Sequence, residues 1–204
     1  MKHEPNISNE EVELIHKAQQ GDQRAFTELV KKYESTIYSF AFKVCRDEEK
    51  ASETMQDTFI NVFRKLKQYK GDAQFSTWLY QIVTNNCLMK RRKNKLDRHS
   101  VSLGLPDDSS SDSQSEEILQ PIHTIPLQIT PQDEVVNNEL RERLDQAILK
   151  LPMEQRIVFI LRDVEGRSSE ETAKILKISV AAAKSRLRRA RMVLQEQLRE
   201  YVTP

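Results

Sequence analysis

No run of apolar residues in this 204-residue chain approaches the roughly 18 needed to span a bilayer, so a transmembrane helix is excluded. The first residues, Met1 to Asn6, carry no apolar core of the kind a secretory signal needs, and a cytoplasmic protein is expected. Glycine occurs only four times and aromatics make up 6% of the chain, which argues against a glycine-rich phosphate loop and for a core of modest size. Histidine also occurs four times, scattered, with no paired nucleophile and base; this is poor material for an enzyme. The two cysteines, Cys45 and Cys87, lie in separate helical patterns with no metal-ligand spacing. They read as reduced, buried, small apolar residues; no metal site, cofactor or redox sensor is expected.

What the chain has in quantity is charge. Charged residues make up 31% of it, yet the net charge is only +1, because the two signs are segregated. A basic cluster sits at 90–98, an acidic stretch in the middle, and a basic stripe at 184–191. The length fits two small domains of about 60–100 residues each.

Helical signals dominate. Ser8-Asn-Glu-Glu11 is a capping box opening a helix to about Gln20, after which Gly21 can end it and Asp22 cap the next. Ala25, Phe26, Leu29, Val30, Tyr33, Ile37, Phe40 and Ala41 recur at helical spacing up to Cys45. In a third helix, Asp47 to Leu66, an inner stripe of Ala51, Met55, Phe59, Val62 and Leu66 is expected. Its other face collects Glu53, Gln56, Asp57, Ile60 and Arg64. Ile60 there is either an ordinary exposed side chain or the centre of a partner-binding patch.

A loop at 67–75 turns at Gly71, and Ser76 is the expected N-cap of a helix running to Lys95. This stretch passes from aromatics (Phe75, Trp78) through an apolar pattern to Lys90, Arg91, Arg92, Lys93 and Lys95. Either the rings are core and the charges a solvated helix end, or together they are a stacking surface followed by phosphate-binding charge.

From His99 to Asn138 the periodicity stops, with seven acids and no lysine or arginine. Such a segment cannot bury enough apolar area to offset its ordering entropy and reads as a linker. It is either a plain tether or a negative strand able to occupy a positive channel.

The pattern resumes at Glu139 and breaks at Leu151-Pro152; a helix from Met153 to Val164 ends at Gly166. Ser168 and Glu171 form a second capping box, with Thr172, Ala173, Ile175 and Leu176 inward. Lys177-Ile178-Ser179 then turns into a long helix from Val180 to about Tyr201. Helix, short turn, helix is the spacing of a DNA-reading helix-turn-helix. At 100° per residue, Ala183, Leu187, Ala190 and Leu194 pack inward, opposite Ala181, Ala182, Ser185, Arg188 and Arg189, with Lys184, Arg186 and Arg191 on the flanks. Small residues at the helix start permit close approach to a groove, and the arginines can clamp phosphates or read guanine.

Taken together, the two ends resemble the extracytoplasmic function (ECF) sigma factors of bacterial RNA polymerase, those of the sigma-E and sigma-W type. The N-terminal half carries the likeness in Gly21-Asp22, Ala25-Phe26, Leu29-Val30, Tyr33, Gln56-Asp57-Thr58-Phe59, Gly71, Phe75-Ser-Thr-Trp-Leu-Tyr80, Ile82, Asn85 and Arg91-Arg92. The C-terminal half carries it in Leu151-Pro152, Arg156, Val158-Phe159, Leu161-Arg162, Glu165-Gly166, Ser168, Glu171, Ala173, Lys184-Ser185-Arg186-Leu187 and Arg189-Ala190-Arg191.

The resemblance implies an all-α chain: region 2 at 1–98, an acidic linker at 99–137 and region 4 at 138–204. It implies no catalytic activity but a role in initiation on core RNA polymerase, gripped through its clamp and flap. Region 4 would read the −35 element through Ala181, Ala182, Lys184, Ser185, Arg188 and Arg189. Region 2 would melt the −10 element with Tyr69, Lys70, Phe75, Ser76, Trp78 and Asn85, while Arg91, Arg92, Lys93 and Lys95 hold the backbone. Glu53, Gln56, Asp57, Ile60 and Arg64 would meet the clamp. An anti-sigma factor is a further expected partner, with a monomer when free and no membrane insertion of its own.

The chain departs from the family pattern at several points. Ser52-Glu53 stands where an acidic pair is common, and Met89 where an aspartate is. Ala181-Ala182-Ala183 replaces a frequent Gly-Thr-Val, and Lys177 a turn glycine. Two other classes compete. A regulator that binds DNA without polymerase would leave the 69–95 stretch idle, and an enzyme would lack its catalytic groups.

Overall fold

A computed structural model describes the backbone of residues 9–99 and 143–199; side chains are described for 9–90 and 143–199. Ser8 and the acidic linker at 99–137 therefore lie, but for the backbone of His99, outside the described residues. Helices account for nearly all of what is described, as expected.

In the N-terminal half, α1 (Asn9–Gln19), α2 (Gln23–Cys45), α3 (Glu48–Lys65) and α4 (Phe75–His99) form a bundle, with a 3-10 turn at Leu66–Gln68. Gly21 has φ +99, which only glycine adopts freely, and so allows the sharp α1–α2 corner. Asp22 caps α2 by accepting from the amides of Arg24 and Ala25; Asp47 caps α3 through Lys50. Of the expected α2 stripe, Ala25, Leu29, Ile37, Phe40 and Ala41 are buried, joined by Val44, while Phe26, Val30 and Tyr33 are only partly so.

On α3 the inner face differs from the periodic expectation. Ala51, Val62 and Leu66 are buried, but Met55 and Phe59 are only partly so, and the fully buried positions between them are Thr54 and Thr58. Thr58 satisfies its hydroxyl by donating to the Thr54 carbonyl one turn back at 2.6 Å. The start of α4 also differs. The helix begins at Phe75, and Ser76 lies inside its first turn, donating to the side chain of Gln74 instead of capping.

The C-terminal half comprises α5 (143–150), α6 (Met153–Phe159), α7 (Ser169–Leu176) and α8 (Val180–Gln197). The capping box at Ser168 and Glu171 is formed in both directions. Lys177 takes the left-handed conformation (φ +54) in the turn, and Ser179 caps α8. One expectation fails in detail. The helix from Met153 stays α-helical only to Phe159; Ile160–Val164 is π-helical, with Glu165 N–H donating to the Ile160 carbonyl.

The halves are packed together. Ile157, Ile160, Leu161 and Ile175 join the same apolar cluster as Phe40, Val44, Leu79 and Val83. Arg156 is only 8% exposed, and its guanidinium donates to the carbonyls of Val44, Leu149 and Leu151. A buried guanidinium on several carbonyls is costly to lose, because each carbonyl would be left dry and unpaired.

Candidate functional site

Two surfaces gather the residues expected to act in the N-terminal half. The first is an aromatic corner. Tyr69, Phe75 and Trp78 have ring centroids 5.3–5.6 Å apart, and Tyr33 closes on Phe75 at 5.5 Å. Their positions are fixed from outside the rings. Gln19 donates to the carbonyls of Leu66 and Tyr69, and the Tyr69 hydroxyl donates to Ala73 across the turn that Gly71 (φ +81) makes.

Within this corner the roles divide. Phe75 is buried at 2% exposure and can only shape the site from beneath. Trp78 is half-buried and, with exposed Asn85, lines a cleft completed by Asn61 and Asn86. Asn61 donates to Asn86, which donates to Thr58; this chain was not foreseen from spacing. Lys70 is exposed and Ser76 half-buried at the loop. Arg91, Arg92, Lys93 and Lys95 follow on α4, but their side chains lie outside the described residues.

The far wall of the cleft belongs to the other half of the chain: Ile175, Leu176 and Lys177, from the end of α7. Gln81 donates to the Lys174 carbonyl and Lys174 to that of Asp72, which holds α7 over this face.

The second surface is a shallow groove between α3 and α4, lined by Asp57, Ile60, Asn61, Arg64, Met89 and Lys90 among others. Ile60 and Met89 expose apolar side chains there, 49% and 61%. Glu53 and Gln56 lie on the same exposed face. Lys90 lies in this groove, pairing with Asp57 at 2.9 Å and Glu53 at 3.2 Å. Burial alone would lower the Lys90 ammonium, but those two carboxylates outweigh it and hold its pKa above the ordinary value. Met89 was noted only as a departure from a pattern; its exposure beside Ile60 gives it a place.

In the C-terminal half, α8 sorts its cations. Ala183, Leu187, Ala190 and Leu194 are buried, as the angular pattern requires. Arg186 is tied to Glu154 at 2.8 Å, and Arg191 makes a bidentate pair with Asp163 at 2.6 and 2.9 Å. Lys184, Ser185, Arg188 and Arg189 lie exposed along the outer face below exposed Ala181, with Ala182 half-exposed. The flanking arginines thus brace the helix, and the outer ones present charge.

Comparison with known proteins agrees with both halves. Residues 29–96 match Sigma-70 region 2 and residues 141–194 match Sigma-70, region 4. The chain is 32% identical over 187 residues to the RNA polymerase sigma-H factor of Pseudomonas aeruginosa, covering 91% of this chain and 92% of that one. It is 31% identical over 186 residues to the ECF sigma factor SigW of Bacillus subtilis, covering 91% and 95%. The chain belongs to the ECF sigma factor family.

Like other sigma factors it is an initiation factor, with a role in promoter-specific transcription. Its fold is shared with solved sigma factors. CnrH, in complex with the cytosolic domain of CnrY, superposes with a TM-score of 0.59 at 24% identity, covering 92% of this chain and 96% of that one. RpoE of Bartonella quintana, in complex with the anti-sigma factor NepR, gives 0.59 at 23% identity, covering 85% and 96%. Among the described residues of this sigma factor, no helix is long and apolar enough to cross a membrane.

Proposed function

We propose that this sigma factor binds core RNA polymerase and directs it to promoters by reading two DNA elements with its two halves. The observation that carries the reading is the sorting of cations on α8. Lys184, Ser185, Arg188 and Arg189 lie exposed along one face with Ala181 and half-exposed Ala182, and Arg186 and Arg191 on the flanks pair with Glu154 and Asp163. A helix with small residues at its start and basic residues along one face suits a major groove, here that of a −35 element.

In region 2, Trp78 and Asn85, with Tyr69, Lys70 and Ser76 around them and Phe75 beneath, form a site for an unstacked −10 base. Extruding a base costs a few kcal/mol, and stacking on an aromatic returns about 1–3 kcal/mol. Arg91, Arg92, Lys93 and Lys95 would hold the adjoining backbone. The Glu53, Gln56, Asp57, Ile60 and Arg64 face is the docking surface for the polymerase clamp; an apolar centre rimmed by charge supports that role. Region 4 would also rest on the flap.

The domains are assigned as 1–98, 99–137 and 138–204, the middle segment threading the polymerase. In the packed arrangement α7 walls the Trp78–Asn85 cleft, so a DNA strand can enter only after the C-terminal half moves away. An anti-sigma factor is the proposed regulator; RpoE of Bartonella quintana, solved with the anti-sigma factor NepR, supports that partner class.

The test is run-off transcription from a genomic fragment library with this chain and core polymerase lacking its usual specificity subunit. Discrete start sites with a common upstream element are expected. A chain that binds DNA but neither joins polymerase nor yields transcripts would instead be a polymerase-independent regulator.

A further inference from the structure

Cys45 and Cys87 are separated in sequence by all of α3, the loop after it and the first half of α4, yet the fold brings their thiols close enough for each to act on the other. Cys45 is the last residue of α2 and half-buried; Cys87 is in the middle of α4 and buried. Both are free thiols.

A third helix completes the arrangement. Thr54 of α3 is fully buried, its hydroxyl makes no well-formed hydrogen bond, and it lies beside the Cys45 sulfur. A buried hydroxyl whose nearest acceptor is a thiol sulfur is poorly satisfied, and an oxygen or anion arriving at Cys45 would satisfy it better. Lys90 from α4 and Arg156 from α6 add positive charge around the same sulfur.

From this geometry we infer that Cys45 and Cys87 form an oxidisable thiol pair, with Cys45 as the attacking and Cys87 as the resolving sulfur, and a hydroperoxide as oxidant. Half-buried Cys45 is the one a small oxidant can reach, and Cys87 beside it is buried. The Cys87 hydrogen bond, helped by Thr54, Lys90 and Arg156, outweighs burial and lowers the Cys45 pKa to about 7. The same hydrogen bond and burial push the Cys87 thiol well up. The thiolate therefore forms at the reachable sulfur.

The chemistry balances in two steps. The Cys45 thiolate attacks one peroxide oxygen; the S–O bond forms, the O–O bond breaks, and the departing hydroxide takes a proton to leave as water. Cys45 is then a sulfenic acid, oxidised by two electrons, with Thr54 placed to donate to its oxygen. Cys87 next attacks the Cys45 sulfur; the S–S bond forms, the S–O bond breaks, and hydroxide leaves with the Cys87 proton as water. Two thiols and one hydroperoxide give one disulfide and two waters (one water and one alcohol if the peroxide is alkylated). The disulfide ties the end of α2 to the middle of α4, and a reducing thiol reverses it.

The experiment treats the full chain with stoichiometric hydrogen peroxide, followed by intact mass and a non-reducing peptide map. Expected are the loss of two hydrogens, a Cys45–Cys87 cross-linked peptide, and its disappearance with dithiothreitol. In Cys87→Ala the reaction should halt at a Cys45 sulfenic acid, trapped by dimedone. Thr54→Val, which keeps the side-chain shape, should slow the first step several-fold. The rate of disulfide formation in the parent should climb with pH through about 7, below the ordinary cysteine value near 9. The inference is overturned if both thiols survive peroxide that oxidises free cysteine, if Cys45 runs on to sulfinic acid with Cys87 still a thiol, or if the only disulfide joins two chains. None of these readouts involves transcription, so a failure here is separate from a failure of the proposed function.

Discussion

The Tyr80 hydroxyl, on α4, donates at 2.8 Å to the Glu165 carboxylate just past the π-helical turn, and Lys43 reaches the other oxygen of that carboxylate at 2.7 Å. The Arg167 guanidinium lies 4.8 Å over the Tyr80 ring. Burial first, and then the Glu165 carboxylate, push the Tyr80 hydroxyl up to about 12, so it stays protonated and a donor at any physiological pH. These contacts join the two halves of the chain. Glu165 follows directly on the π-helical turn at Ile160–Val164.

Glu165→Gln keeps an acceptor for Tyr80 but removes the charge that Lys43 pairs with. The contact between the halves should weaken by about 1–2 kcal/mol, the scale of a charge-assisted hydrogen bond. Small-angle scattering should show a larger radius of gyration than the parent. An unchanged scattering profile would mean the apolar cluster alone holds the halves together.

Arg156→Met should cost about 2–4 kcal/mol in urea unfolding, because it strips a shared donor from the carbonyls of Val44, Leu149 and Leu151. Arg156→Lys should recover only part of this, since one ammonium cannot reproduce the planar fork. Equal stabilities for parent and Arg156→Met would show that those carbonyls find other partners.

Trp78→Ala should leave polymerase binding intact and impair opening of a duplex promoter by about 1–3 kcal/mol, the value of one stacked base. On a promoter already melted at the −10 element, activity should partly return. If mutant and parent transcribe duplex template equally, the ring is only part of the aromatic packing with Tyr69 and Phe75.

Two cations on α8 should behave oppositely. Lys184→Ala should lower DNA affinity for all sequences and reduce the slope of log affinity against log salt by about 1. Arg191→Ala should leave that slope nearly unchanged and instead lower thermal stability by about 1 kcal/mol through loss of the Asp163 pair. A large slope change in the second variant would put Arg191 on the DNA.

Local patterns were legible in the sequence because their causes are local. The buried stripe of α8 follows from a 100° turn per residue, and the caps at Asp22 and Ser168 follow from amides that need acceptors within three residues. The basic stripe of α8 and the helix-turn-helix were readable for the same reason, as was the family likeness. That the flanking Arg186 and Arg191 act as braces was not, since their partners Glu154 and Asp163 lie far away in sequence.

The remaining features depend on which helix lies against which. Buried Thr54 and Thr58 look polar and exposed to a periodicity argument, and are buried only because neighbouring helices cover them. Glu165, just past the π-helical turn, meets Tyr80 and Lys43, neither of them near it in the chain. Cys45 and Cys87 are unremarkable in separate helices, and become a pair only when α2 and α4 meet. Sequence period records the face a helix buries, but not its neighbour; the neighbour is chosen by the packing of whole helices, and it was that packing which closed the halves together and set two thiols side by side.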